Sequence, residues 1–205
     1  MKFLELKNEL KDFSIFSLNE IRNIDPNFYR SRLNEWQDKG YIKKVIRGYY
    51  IFSDLQLSEE ILFKIANRIY LPSYISLESA LSYYHLIPES VYGITSISTR
   101  RTYSFKTSIG EFTFRTVKPQ LFFGYHLMNY RELYLKMASV EKAILDYFYL
   151  HPDIETEQDF DSLRINKEMF FEQVDEGKLM NFLGRFNQKK LTRRINTFWS
   201  YMKDA

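Results

Sequence analysis

The 205 residues contain no cysteine and only three histidines, His85, His126 and His151, scattered without ligand spacing. Disulfides and thiolate metal sites are therefore excluded, and the sequence predicts neither a metal nor a cofactor. A long uncharged apolar run is also missing. The opening stretch, MKFLELKNELKDF, intersperses charges among its apolar residues, so no signal-peptide core and no bilayer-spanning segment is read. The expectation is a cytoplasmic protein with no membrane partner. Neither a phosphate-cradling glycine loop nor a serine nucleophile elbow is present. Net charge is small, +3, and what is there in quantity, 45% hydrophobic and 27% charged residues, suits a soluble globular chain of one large or two small domains.

The small charge excess is unevenly spread. Of 29 Lys/Arg and 26 Asp/Glu, ten and seven fall in residues 1–52, leaving nineteen of each sign for the rest. Between residues 22 and 47 the imbalance sharpens to seven basic (Arg22, Arg30, Arg32, Lys39, Lys43, Lys44, Arg47) against three acidic (Asp25, Glu35, Asp38). A positive patch confined to one small unit is the electrostatic footprint of a phosphate-backbone binder.

Local signals in this stretch predict its elements. Phe3, Leu4, Leu6 and Leu10 give a first helix an apolar face. Ser17 with Glu20 three residues on has capping-box spacing and starts a second, short helix. Asp25 before Pro26 reads as the cap of a third helix, with Phe28, Leu33 and Trp36 inward and Gly40 ending it. Two strands, about 41–46 and 49–52, then bend at Gly48.

Three helices followed by a basic hairpin predict a winged helix-turn-helix over residues 1–53. Its partner would be double-stranded DNA. Arg30, Arg32 and Asn34 are candidates for base or phosphate contact, and Lys43, Lys44 and Arg47 for phosphates. Tyr49 and Tyr50 alternate in facing, so one packs inward; Tyr49 is the candidate for meeting the sugar-phosphate chain. The competing reading is a protein-docking module with a solvated basic edge.

The remainder, 54–205, reads as a mixed α/β domain, which makes the fold class α+β. Ser58 caps a helix with Ile61, Leu62, Ile65 and Ile69 on one face. Ser76 caps LESALSYYHLI, and residues 91–117 alternate as an antiparallel sheet with Gly110 at a bend. Ser139 caps VEKAILDYFYL, with Val140, Ala143, Ile144 and Tyr147 inward. Residues 153–162 are acidic and read as a surface loop. Two C-terminal helices are expected from Asn166 on, broken near Gly177 or Gly184. The last carries a second basic face of Arg185, Lys189, Lys190, Arg193 and Arg194, with Arg185, Lys189 and Arg193 at i, i+4 and i+8.

In order behind that N-terminal unit with its RGYY hairpin come YISLESALSYYHLI (74–87), TSISTRRTYSF (95–105), LFFGY (121–125) and ASVEKAILDYFY (138–149). Together they resemble the AbiEi family of antitoxins over residues 1 to about 150; beyond that only a helical character is shared. His85 stands where the family pattern often has glycine. The resemblance implies a DNA-binding autorepressor, two copies on an inverted-repeat operator. It also implies an antitoxin of a type IV toxin-antitoxin, phage abortive-infection system, countering a nucleotidyltransferase-like toxin without need of a stable complex. The alternative is a stand-alone winged-helix regulator whose C-terminal domain senses a ligand or partner protein.

An enzyme is not expected. Glu78 and Glu141 lie two residues after Ser caps, where a carboxylate complements the helix dipole. Glu141 and Lys142 are adjacent on a helix, which is no metal-binding nuclease geometry. His85 and His126 sit among aromatics with no acid partner at recognisable spacing. Arg100 and Arg101, at a strand end inside one of the matching motifs, are candidates for phosphate, nucleic acid or an acidic partner surface. With Arg185, Lys189 and Arg193 they make up a second basic surface, which would extend the DNA contact or meet an acidic toxin.

Overall fold

The computed structural model describes residues 1–88, 93–130 and 133–204. Residues 1–52 form α1 (Phe3–Glu9), β1 (Phe16–Ser17), α2 (Leu18–Ile24), α3 (Ser31–Asp38), β2 (Ile42–Ile46) and β3 (Tyr49–Phe52). The three strands make one antiparallel sheet in the order β1-β3-β2. Ser17 and Glu20 form the capping box that starts α2: Asn19 N donates to Ser17 Oγ at 3.2 Å, and Ser17 N donates to Glu20 Oε2 at 2.8 Å. Gly40 (φ +70°) ends α3 and Gly48 (φ +90°) turns the hairpin, both in the left-handed region that a Cβ disfavours. Leu6, Leu10, Phe16, Ile21, Phe28, Leu33, Trp36, Ile42, Tyr50 and Phe52 close a small core.

Two expectations fail here. Leu4 is 71% exposed, because the two-turn α1 turns Leu6 toward this core instead. The third helix starts at Ser31, not Pro26. Asp25 serves a turn: its carboxylate accepts from Asn27 N (3.1 Å) and the N-terminal ammonium (3.3 Å), and its carbonyl accepts from Phe28 N (3.0 Å). Proline at the first position after an Asp suits such a turn as well as a helix start.

The remainder is built around a six-stranded sheet. α4 (Glu59–Ile69), β4 (Ser73–Ile75), α5 (Leu77–Tyr83), β5 (Gly93–Ser98), β6 (Tyr103–Thr107) and β7 (Gly110–Thr116) come first. Then follow β8 (Tyr125–Tyr130), β9 (Leu133–Ala138), α6 (Val140–Leu150), α7 (Glu157–Ser162), α8 (Lys167–Gln173), α9 (Glu176–Phe186) and α10 (Lys189–Asp204). The first two residues of the strand region expected from 91 lie outside the described residues.

The strand order is β6-β7-β5-β4-β9-β8. The sheet is mixed rather than antiparallel. The β6–β7 hairpin docks by its second strand, so β7 lies between β5 and β6 and runs parallel to β5; β4 and β9, joined through a long connection, are parallel too.

Two further expectations are corrected. Residues 157–162 are helical, started by a capping box in which Asp159 N donates to Thr156 Oγ1 and Thr156 N donates to Asp159 Oδ2 at 2.7 Å. The C-terminal region holds three helices rather than two: the chain breaks at Val174–Asp175, just before Gly177, and again at Asn187, just after Gly184, where Asn187 takes the left-handed conformation (φ 49°, ψ 47°), while both glycines lie within α9.

The two parts pack directly on one another. Ile15, Val45 and Ile51 of the N-terminal part join the large core, and edge strand β2 lies beside edge strand β6. Arg68 of α4 pairs with Glu20 of α2, and Lys7 Nζ meets Asp54 Oδ2 at 2.5 Å.

Candidate nucleic-acid interface

On α3, Leu33 and Trp36 face the core, which leaves Ser31, Asn34, Glu35 and Asp38 as an exposed polar stripe at helical spacing. Arg30 occupies the position before the first helical residue and is exposed. Arg32 is only half-exposed: its guanidinium donates to the Met1 carbonyl at 2.7 Å and stands 5.5 Å from the centre of the Trp36 ring. It holds the N-terminus against α3, so a nucleic acid would have to compete for it. Glu35 and Lys39 neutralise one another one turn apart, 2.6 Å between Nζ and Oε1. The Lys39 hydrogen bond and charge hold the Glu35 carboxyl below the ordinary carboxylate range.

The hairpin carries cations of a different kind. Lys43, Lys44 and Arg47 are all exposed: Lys43 and Lys44 pair in regular register with Ile51 and Tyr50 on opposite faces of the edge strand, between Ile42, which enters the small core, and Val45, which enters the large one. Among the described residues no carboxylate pairs with Arg30, Lys43, Lys44 or Arg47. Tyr50 is buried, and Tyr49 is half-buried against the large core. Tyr29, which sequence reasoning passed over, is 75% exposed in the turn leading into α3. A helix start at Pro26 hides it in the sequence, where an aromatic in a turn would stand out.

The second basic surface divides. Arg100 and Arg101 lie in the turn from β5 to β6 and rest on tyrosines. The Arg100 guanidinium is 4.6 Å from the Tyr70 ring centre and that of Arg101 is 5.6 Å from Tyr103, while Tyr70 Oη donates to the Arg101 carbonyl at 2.7 Å. Such stacking aims a guanidinium without neutralising it.

Arg185 belongs to α9, 3.5 Å over the Phe123 ring, whereas Lys189 and Arg193 belong to α10 and line an open groove with Gln188 and Asn196. The three therefore do not share one helical face; the chain reverses at Asn187 between them. Arg194 is not on a basic face at all. It is 7% exposed and donates to the carbonyls of Phe148 (2.8 Å), His151 (2.8 Å) and Ile154 (3.1 Å), satisfying the C-terminal end of α6.

Sequence reasoning also missed a buried polar cluster. Lys142 and Asp146, both 0% exposed in their side chains, pair one turn apart on α6. Tyr74 Oη and Ser76 Oγ each donate to Asp146 Oδ2 at 2.9 Å, and Lys142 Nζ donates to Tyr74 Oη at 2.9 Å. Burial pulls the lysine down and the aspartate up from their ordinary ranges, against their mutual attraction. The i, i+4 spacing of Lys and Asp inside an apolar run was the available signal. Ser76 thus spends its hydroxyl on Asp146 rather than on capping α5.

Glu141, in the first turn of α6, is 2% exposed; it accepts from Ser139 Oγ (2.7 Å) and Asp175 N (3.3 Å) and pairs with Lys178 Nζ at 2.7 Å, which ties α6 to α9. Among the described residues, no three His, Cys, Asp or Glu side chains are placed to hold a metal ion, and no helix is long and apolar enough to cross a membrane. Compared with protein-family models and with curated proteins, the sequence matches none.

Proposed function

We propose that residues 1–53 are a winged helix-turn-helix that binds double-stranded DNA, and that the protein is a cytoplasmic autorepressor and type IV antitoxin rather than an enzyme. The observation that carries the DNA reading is the set of exposed cations without carboxylate partners among the described residues, Arg30 at the start of α3 and Lys43, Lys44 and Arg47 on the hairpin. A solvated surface normally interleaves its charges, as Glu35 and Lys39 do. The order helix, strand, two helices, two-stranded hairpin supports the same reading. In this arrangement α3 would enter the major groove with Asn34 and Arg30 forward, and the hairpin would follow the adjacent backbone. Two copies would occupy an inverted-repeat operator.

The antitoxin half rests on the resemblance of residues 74–149 to the AbiEi family. Three of the four motifs meet in space: Tyr74 and Ser76 from the first, Phe123 from the third, and Lys142 and Asp146 from the fourth come together at the buried cluster. Neutralisation would fall to exposed groups, with Arg100 and Arg101 the best presented for an acidic toxin surface or for further DNA.

The test is a promoter-reporter assay paired with toxin co-expression. A variant with Lys43, Lys44 and Arg47 changed to Ala should lose repression of its own promoter and still protect cells when supplied from a foreign one. Loss of both activities in a folded variant would contradict separable roles. A second reading, a stand-alone regulator that senses a small ligand, is favoured by one observation, a cavity of about 320 Å³ among α5, α6, α7, α8 and α10.

A further inference from the structure

From this cavity we infer a binding site for a small organic cation with an apolar body. The inference stands whether or not residues 1–53 bind DNA. The volume, about 320 Å³, lies within the range of about 300–1,000 Å³ typical of small-molecule pockets. Its floor is apolar and buried: Leu81, Ile144, Phe148, Phe170 and Phe198. The polar lining residues are the more exposed ones, so they form the rim, among them Glu78, His151, Asp153 and Asp159. Among the described residues no lysine or arginine lines the cavity. The guanidinium of Arg194 lies behind the wall with its donors given to the carbonyls of Phe148, His151 and Ile154. It pins the 151–154 segment that carries half of the rim.

The rim's acceptors are differently engaged. Asp159 is committed to the cap of α7. The other two carboxylates are not: among the described residues no hydrogen-bond donor reaches Asp153, and only His151 Nε2 approaches Glu78, at 4.0 Å, which is longer than a hydrogen bond. Nδ1–H of His151 donates to the Tyr147 carbonyl at 2.9 Å, so in the neutral ring Nε2 is an acceptor facing a carboxylate oxygen. Two acceptors facing each other across such a gap, with a third carboxylate beside them and apolar rings beneath, suit an ammonium or amidinium group that donates to them while its hydrocarbon part enters the floor. An anionic ligand would face the rim carboxylates, while the nearby Arg194 guanidinium, whose charge reaches Asp153, has its donors turned to carbonyls behind the wall. A neutral one would gain the apolar floor but no charge-assisted hydrogen bond at the rim.

Calorimetric titration of the full chain with phenethylamine, phenethyl alcohol and 3-phenylpropionate tests the assignment. The amine should bind with a Kd below about 1 mM, the alcohol at least about tenfold more weakly, and the carboxylate not measurably. Glu78→Gln should weaken the amine by about tenfold and leave the alcohol unchanged. Asp153→Asn, at an exposed position, gives the same comparison if the first variant folds poorly. No saturable binding of the amine, equal binding of amine and alcohol, or an amine affinity unmoved by folded variants at both positions would overturn the assignment.

Discussion

The cations of the hairpin and two cations of the larger part, Lys142 and Arg194, are the same residue types in opposite circumstances. Lys43, Lys44 and Arg47 are exposed and meet no carboxylate among the described residues, whereas Lys142 is sealed against Asp146 and Tyr74 and Arg194 is spent on three carbonyls. A positive charge in a sequence says nothing of its task; partners and exposure do. Buried cations with satisfied donors organise the fold, and exposed ones without partners are available to phosphates.

That contrast can be broken first at Lys142. Lys142→Ala leaves the Asp146 carboxylate buried without its counter-charge and should cost about 3–5 kcal/mol in chemical denaturation. Replacing both partners by apolar residues of similar size should recover much of that loss, because both desolvation costs vanish together. A single variant as stable as the parent would show that the cluster does not hold the fold.

Arg194→Ala comes next. It frees the carbonyls of Phe148 and His151 at the end of α6 and of Ile154 just beyond it, and should cost about 2–3 kcal/mol while leaving DNA affinity unchanged. Denaturation and gel-shift titrations on the same sample separate the two effects; a fall in affinity with stability unchanged would return Arg194 to the basic surface.

Glu20 sharpens the comparison at the junction of the two parts. Its partial burial opposes ionisation, but hydrogen bonds from Ser17 and the charge of Arg68 prevail and hold its carboxyl below the ordinary range. A depressed carboxyl contributes stability that is fully present above the unfolded-state value and lost as pH falls through the folded one. Stability measured from pH 6 downward should therefore decline through the acid range below about pH 4.5. The decline should be shallower in Glu20→Gln. Identical profiles would remove Glu20 as a contributor.

These differences also mark what was legible in the sequence. Ser17 with Glu20, Gly40 and Gly48 are local signals, complete within a few residues, and the structure uses each as read. The capping box at Thr156 and Asp159 was equally local, but its acidic surroundings suggested a loop. The parallel β5/β7 pair was out of reach, since nothing local says which strand of a hairpin will dock. The basic stripe failed for a related reason: a periodicity of 3.6 was carried across Asn187, where the helix ends. At the candidate interface the local excess of cations is readable from charge alone, but which of them are exposed is not: the Arg32 bond to the Met1 carbonyl depends on a chain reversal that no spacing reveals.

The hairpin itself should be nearly silent in stability, and there the comparison is most exposed to test. With Lys43, Lys44 and Arg47 changed to Ala, stability should move by no more than about 0.5 kcal/mol. The decisive measurement is the dependence of duplex affinity on salt, for the parent and this variant, with the promoter of the protein's own gene and an unrelated duplex. The slope of log affinity against log salt should be shallower in the variant by about three, nearly one for each phosphate that is no longer neutralised, with affinity for both duplexes reduced alike. An unchanged slope in a folded variant would contradict the account: the unpaired cations of the hairpin would then be a solvated edge.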